Sequence, residues 1–340
     1  MTKSYFFIPA FGCQSGRTWR CLLALVIYFV CSLTSAEADI DASSEPAVLL
    51  ERMSTSFHTM DYQGSFTLQQ EGSVESFRVA HAVIDGKEYE RLEYMDGDRR
   101  EIIRRGDKLN CFNVGHRPVK FSQFQQNLKL GELVRTGIDS FYQFSVENGD
   151  RIAGRQTLTL SVSPKDTHRY GYKLSLDTET GLLLRTELIG DRDKVLERFQ
   201  FVDITFNPTV SLAYFQADIQ PDSRPGGTTR LDADSELIPA WTVGWLPAGY
   251  AEVELGEGDT ANDMLSFTDG LSVFSVFLEP EDKSVSGRDV GEGNAQRGAT
   301  AAVSKTVMLS GHAHRVTVVG EIPLPTAQQI AHSVTLSADG

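Results

Sequence analysis

The feature that most constrains this chain is a change of hydrophobic period close to its start. Leu49, Met53 and Phe57 recur at i, i+4 and i+8, the spacing of one helical face. Pro46 falls in the first turn of that helix, and Ser43 or Ser44 is placed to cap it. The period then becomes two, in Ser65-Phe66-Thr67-Leu68-Gln69, in Ser76-Phe77-Arg78-Val79-Ala80 and, with one break, across 88–95. Asp85-Gly86, Asp96-Gly97 and Gly106-Asp107 punctuate these runs. Asp-Gly is a strong hairpin signal, because glycine tolerates the positive φ of a type I′ turn. Residues 131–142 are expected to form a short helix, and strands are expected to resume at 156–162, 170–176, 182–189 and 195–206. So long an antiparallel meander, apolar on one face, must curl or be covered. The leading helix and the middle segment are the available covers.

What precedes the helix is expected not to belong to the fold. Lys3, Arg17 and Arg20 form a basic region, residues 21–33 are an apolar run of 13, and Ala36-Glu37-Ala38 fits a cleavage site. This is the order of a secretory signal peptide spanning 1–38 and cleaved near Ala38. The alternative, a membrane anchor, needs about 20 apolar residues. Without the leader the chain has 29 basic and 45 acidic residues, a net charge of −16, where the whole chain carries −14. Such an acidic balance argues against nucleic acid as a partner, since phosphate backbones demand a basic footprint. The leader also removes Cys13, Cys21 and Cys31. Cys111 alone is left, in a strand-like run, so no intrachain disulfide is available. Burial as a small apolar residue is its favoured reading, an intermolecular bridge the lesser one.

The domains are expected to be a large β domain at 39–212, a linker at 213–230 and a small α+β domain at 231–340. Pro221-Asp222-Ser223-Arg224-Pro225-Gly226-Gly227 marks the linker. Charge shifts there as well, from −5 over 39–230 to −11 over 231–340. In the small domain, strands are expected at 262–268, 271–278, 302–309 and 314–319, with Asp269-Gly270 joining the first pair. Residues 280–298 read as a mobile polar loop. A final helix is expected to start at a Thr326/Gln329 capping box and to present Ile330 and Val334.

Motifs for chemistry are sparse. There is no Gly-x-Ser-x-Gly, His-Glu-x-x-His or Walker sequence. Gly291-Glu292-Gly293 lacks the strand and helix that a nucleotide loop needs. His312 and His314 fall on one side of a strand, but a metal requires a third ligand that is not evident. The densest charge is Arg99-Arg100-Glu101-Ile102-Ile103-Arg104-Arg105. Arginine forks match carboxylates and phosphates. Arg99, Arg100, Arg104 and Arg105 are therefore candidates for an anionic lipid, weighed against the commoner reading of a solvated strand balanced by Glu88, Glu90, Glu93 and Glu101. Thirteen aromatic side chains crowd the first domain, among them Phe66, Phe77, Phe121, Phe124, Phe199 and Phe201. Most suit a core, and a sheet that does not close would leave a concave apolar face. Trp241 and Trp245 are either interface anchors or core of the second domain.

Several of these stretches, taken in order, resemble one family. The run from Met95 to Gly106 is similar to an MDG-x-RRE…RG hairpin. Arg169-Tyr170-Gly171-Tyr172 with Asp177-Thr178-Glu179 through Arg185 is similar to RY-x-Y…DTE-x-x-L-x-x-R. Residues 245–250 (WLPAGY), 269–276 (from DGL to FSV) and 318–323 (VVGEIP) match three further stretches in the same order. The chain thereby resembles the RseB/MucB family of periplasmic regulators of the sigma-E envelope-stress response.

The resemblance implies an α+β, mostly β fold. The large N-terminal domain would be an unclosed antiparallel β-barrel like LolA and LolB, covered by helices, beside a small C-terminal α+β domain. It implies binding to the periplasmic domain of a transmembrane anti-sigma factor, which is shielded from the site-1 protease, with release when lipid or lipopolysaccharide is sensed. It also implies self-association into a homo-oligomer. It supplies no catalytic residue, no cofactor and no metal, and the chain is expected not to be an enzyme. Trp241, Trp245 and Tyr250 are the partner-binding candidates, near the linker where the family's contacts concentrate. The alternative function is a periplasmic lipid or lipoprotein carrier, and a hydrolase with a hidden site is disfavoured by the missing motifs.

Overall fold

The computed structural model describes residues 45–106, 108–112, 138–216, 241–253, 264–280 and 292–337. The leader, Ser43 and Ser44, Phe121 and Phe124, and the Pro/Gly stretch at 221–227 lie outside the described residues, as does the Cys111 side chain.

Helix α1 (Pro46–Thr59) buries Leu49, Leu50, Met53, Ser56 and Phe57, the face that the i, i+4, i+8 spacing specifies. Its N-cap position is Glu45, which makes no side-chain capping bond. Ten strands follow: β1 (Tyr62–Gln70), β2 (Ser73–Ile84), β3 (Lys87–Tyr94), β4 (Glu101–Arg105), β5 (Lys108–Phe112), β6 (Tyr142–Asn148), β7 (Thr157–Pro164), β8 (Gly171–Asp177), β9 (Leu183–Ile189) and β10 (Val195–Phe206). The β2–β3 turn has positive φ at both Asp85 (52°) and Gly86 (72°), as a type I′ turn demands.

The sheet order is β5-β4-β3-β2-β1-β10-β9-β8-β7-β6. Two five-stranded meanders are thus joined through their first and last strands, rather than running on as one meander. The seam is aromatic. Phe66 of β1 stands opposite Phe77 of β2 on one side and Phe201 of β10 on the other. Its ring lies 4.9 Å from Phe77 and 4.8 Å from Phe199. The edge strands β5 and β6 do not pair with each other, so the curled sheet stays open.

Residues 131–142 differ from expectation. Their described part is a single 3-10 turn at Ile138–Ser140, and Tyr142 already begins β6. Tyr142 is pulled into the sheet by pairing with Pro164, a contact that helical periodicity cannot register.

The small domain adds β11 (Trp241–Val243), β12 (Ala251–Val253), β13 (Met264–Thr268), β14 (Val273–Pro280), β15 (Gly293–Arg297), β16 (Thr300–Leu309), β17 (His312–Gly320), helix α2 (Leu324–His332) and β18 (Val334–Leu336). Six strands form a sheet in the order β12-β13-β14-β17-β16-β15, and β11 pairs with β18. Three expectations fail here. Residues 293–297, read as loop, form an edge strand, which escaped detection because all five residues are exposed and no alternation results. The capping box does not form: Pro323 is the N-cap, and Thr326 is buried inside the first turn. Val334 belongs not to the helix but to β18, opposite Val243. Among the described residues no helix is long and apolar enough to cross a membrane.

Candidate partner-binding site

Four of the motif stretches meet where the two sheets abut. Arg169 enters from the segment before β8, and its guanidinium is fully shielded from solvent. It donates to Asp269 of the β13–β14 turn at 2.9 Å, to the Ala248 carbonyl at 2.6 Å and to Asp166 at 3.1 Å. The rings of Phe141, Tyr142 and Tyr250 surround it at 5.0, 5.4 and 5.2 Å, close enough for their electron-rich faces to stabilise the cation. Burial works against this charge, but Asp269, Tyr142, Asp166 and Tyr250 together outweigh it and hold Arg169 ionised.

Asp269 is equally committed. One carboxylate oxygen accepts from Arg169 and from Tyr142 Oη at 2.8 Å. The other accepts the backbone N–H groups of Leu271 and Ser272 at 3.0 and 2.9 Å. Burial, reinforced by Asp269, pushes the Tyr142 phenol far above its ordinary value, so it acts as a fixed donor. Tyr172 Oη donates to the Leu271 carbonyl and Tyr170 Oη to that of Ile322, both at 3.3 Å. Burial, with Asp191, Glu197 and Glu321 nearby, moves the Tyr170 phenol up to about 12. Gly249 has φ +89°, and a Cβ there would strike the Phe141 ring at 2.5 Å. The glycine of WLPAGY is therefore required both by its backbone and by the aromatic ring lying on it.

The partner-binding candidates divide on this geometry. Trp241 and Tyr250 are buried in the small domain's core. The Tyr250 hydroxyl is paired with Ser272 Oγ. Trp245 is half-buried, with its ring edge-on to His168 at 5.2 Å. His168 also contacts Thr326 Oγ1 at 3.2 Å.

A second contact joins the sheets at the β15–β16 turn. Glu71 accepts the Gly298 N–H at 3.2 Å and Glu197 accepts that of Ala299 at 3.0 Å. Ala299 is wholly buried against the large domain's core. Sequence reasoning read Asp269 only as a turn residue and Arg169 only as part of a motif, and it gave Ala299 no role. The available signal was an arginine and an aspartate each embedded in an aromatic or apolar stretch.

The arginine tract is drawn largely inward. Arg104 pairs with Glu88 at 2.6 Å and Glu90 at 3.1 Å. Arg105 donates to the Phe215 carbonyl at 2.7 Å. Arg91 joins buried Glu101 at 2.8 Å and donates to the Tyr214 carbonyl at 2.8 Å. These bonds hold a 3-10 turn, Leu212–Phe215, against the outer face of β2 and β3, where Phe215 covers Ala80 and Ala82. Arg100 lies over the Tyr94 ring at 3.8 Å, and Arg99 is exposed. His314 is buried with Nδ1 at 3.1 Å from the His312 carbonyl, while His312 is exposed. Among the described residues no three His, Cys, Asp or Glu side chains converge as a metal site.

Comparison with known proteins gives the chain a family. The family model of the MucB/RseB N-terminal domain matches residues 45–222, and that of the MucB/RseB C-terminal domain matches 236–335. This chain belongs to the MucB/RseB family. The sigma factor AlgU regulatory protein MucB of Pseudomonas aeruginosa is 33% identical over 291 residues, covering 84% of this chain and 89% of that protein. The sigma-E factor regulatory protein RseB of Escherichia coli K12 is 28% identical over 325 residues, covering 92% of this chain and 98% of that one. The crystal structure of MucB in complex with MucA(peri) aligns with a TM-score of 0.67 at 29% identity, over 86% of this chain and 100% of that one. A further crystal structure of MucB aligns with a TM-score of 0.59. In this chain, four of the five quoted motifs build the joint between the sheets.

Proposed function

We propose that this chain is a periplasmic negative regulator of the sigma-E envelope-stress response. It binds the periplasmic segment of a membrane-spanning anti-sigma factor and keeps it out of the site-1 protease, acting by occlusion and not by turnover. The observation that carries this reading is the extended similarity to a MucB whose crystal structure is a complex with MucA(peri). The net charge of −11 beyond the linker suits a basic or amphipathic peptide, which it would steer towards the small domain. Lipid or lipopolysaccharide would release the peptide by binding the free form more tightly than the complex, the only way a ligand shifts such an equilibrium.

Half-buried Trp245 is then the direct contact, while Trp241 and Tyr250 hold the surface in shape from the core. In a pull-down with the anti-sigma factor's periplasmic segment, the wild type binds at micromolar concentration. Trp245→Ala weakens binding by at least about tenfold, the loss expected of an aromatic anchor. No binding by the wild type would sink the proposal. Transfer of an acyl chain to acceptor vesicles without peptide binding would point instead to a lipid carrier.

For the anionic headgroup, the exposure of Arg99 and the position of Arg100 beside it support these two, whereas Arg104 and Arg105 point to acceptors within the fold. Reversing Arg99 and Arg100 to glutamate is expected to weaken binding to anionic vesicles and leave the fold intact. Arg104→Glu is expected to destabilise the protein instead, since it adds a third carboxylate to Glu88 and Glu90. Unchanged vesicle affinity in the first variant would return the tract to a purely structural role.

A further inference from the structure

Helix α1 bridges the two meanders of the large sheet. Towards β8 and β9, Arg52 donates to the carbonyls of Thr178 and Glu179, and Ser56 to that of Thr180. Towards β2 and β3, His58 meets Glu88 at 3.0 Å, and the carbonyl of the C-cap residue Met60 lies 2.8 Å from His81 Nδ1. The middle and last turn of the helix are therefore tied to one meander, and its C-terminal end to the other.

His81 is chemically out of place there. It is completely buried, and it belongs to a polar row that crosses the core face of the sheet. Tyr62, His81, Glu90 and Arg104 stand directly opposite one another on β1, β2, β3 and β4. Directly opposite residues share a face. The Met60 carbonyl can only accept, so Nδ1 must carry the imidazole proton, and Nε2 is left as a bare acceptor. Among the described residues Nε2 has no hydrogen-bond partner, and neither does the Tyr62 hydroxyl. The Tyr62 ring stacks on the imidazole at 5.1 Å instead of bonding to it. A proton arriving from solvent would bind Nε2 and place a cation in this dry position.

We propose that His81 is a proton-sensitive pin that holds α1 across the curled sheet, and that acidification frees this end of the helix. The groups facing His81 set the direction. Burial disfavours the imidazolium, and Arg104 adds to that effect. The Met60 carbonyl, Glu90 and Glu88 oppose it without overcoming it, so His81 titrates below 6.5 when folded. Glu90 and Glu88 are themselves held by Arg104, which limits their help. His58 also meets Glu88, but that pair is partly exposed and screened by solvent. The stabilisation from neutral His81 is therefore complete above the unfolded value of 6.5 and declines as pH falls from there through the folded value. States in which α1 lifts and water reaches Nε2 escape this penalty. One proton raises their population by at most about tenfold per pH unit.

Hydrogen exchange of the full chain, corrected for intrinsic rates, tests this at pH 7.5 and 5.5. Opening of α1 is expected to rise by up to about tenfold over that interval, while amides of β14 and β17 serve as an internal reference. In His81→Asn, which keeps a donor for Met60 but cannot titrate, the rise should vanish. In His58→Gln it should persist. The proposal is overturned if wild-type α1 shows no pH dependence, if His81→Asn retains it, or if His58→Gln abolishes it. Should His81→Asn fail to fold, an NMR titration of the wild-type imidazole decides: a midpoint below 6.5 supports the pin, and one at or above 6.5 overturns it.

Discussion

Asp269→Ala is expected to cost about 3–5 kcal/mol of unfolding free energy, the range for breaking one partner out of a buried ion pair. The loss is large because several groups are orphaned together. Arg169 stays buried without its counter-charge, Tyr142 Oη loses its acceptor, and the Leu271 and Ser272 amides lose the oxygen that shapes their turn. Denaturant unfolding measures the cost. A double replacement, Arg169→Met with Asp269→Leu, separates the pair's worth from the penalty of breaking it. Apolar substitution of both partners is expected to recover most of the loss, as apolar substitutes for buried ion pairs often do. A cost below about 1 kcal/mol for Asp269→Ala would show that water reaches the joint, since a solvated pair is worth little.

Phe66→Ala is expected to cost a similar amount, about 3–5 kcal/mol, for a different reason. Phe66 is 1% exposed and sits at the seam where the two meanders meet. Its ring contacts Phe77, Phe199 and Phe201, with centroids 4.9, 4.8 and 5.9 Å away. Removing it leaves a cavity in a place where both flanking strands are fixed by their backbone ladders and cannot collapse inward. The signature should be local as well as global: exchange of β1 and β10 amides should accelerate more than that of β13 or β14. Phe66→Leu should retain much of the stability, because volume-conserving apolar changes are tolerated best. A uniform loss across all strands would mean that the seam and the small domain unfold as one unit.

Much of the secondary structure was legible because its causes are local. The period-two runs and Asp85-Gly86 marked β1 to β3, since side chains alternate across a pleat and only certain residues accept positive φ. Leu49, Met53 and Phe57 marked α1 in the same way. What escaped were elements stabilised by distant partners. Tyr142 joins β6 through β7, the exposed residues 293–297 become a strand only by pairing with β16, and Val334 leaves the helix to pair with β11. The candidate site was half legible. Its motifs could be quoted stretch by stretch, and Trp245 falls at the joint. Asp269 was read only as a turn residue, which it is, while its second role depends on Arg169, 100 residues away in sequence. The arginine tract shows the same division: its density was visible, but its acceptors on Phe215, Glu88 and Glu90 depend on strand register.

The sequence by itself determined the family, the mostly-β class, the leading helix and most strands, because composition, period and turn chemistry act over a few residues. Only the tertiary structure decided that β1 pairs with β10, that four separate motifs meet at a joint built on one buried ion pair, and that His81 lies dry beneath the end of α1. Those outcomes depend on which distant surfaces exclude water together. Burial then sets the value of each charge: an arginine or histidine that looks ordinary in the sequence becomes a latch or a proton-sensitive pin once solvent is removed from it.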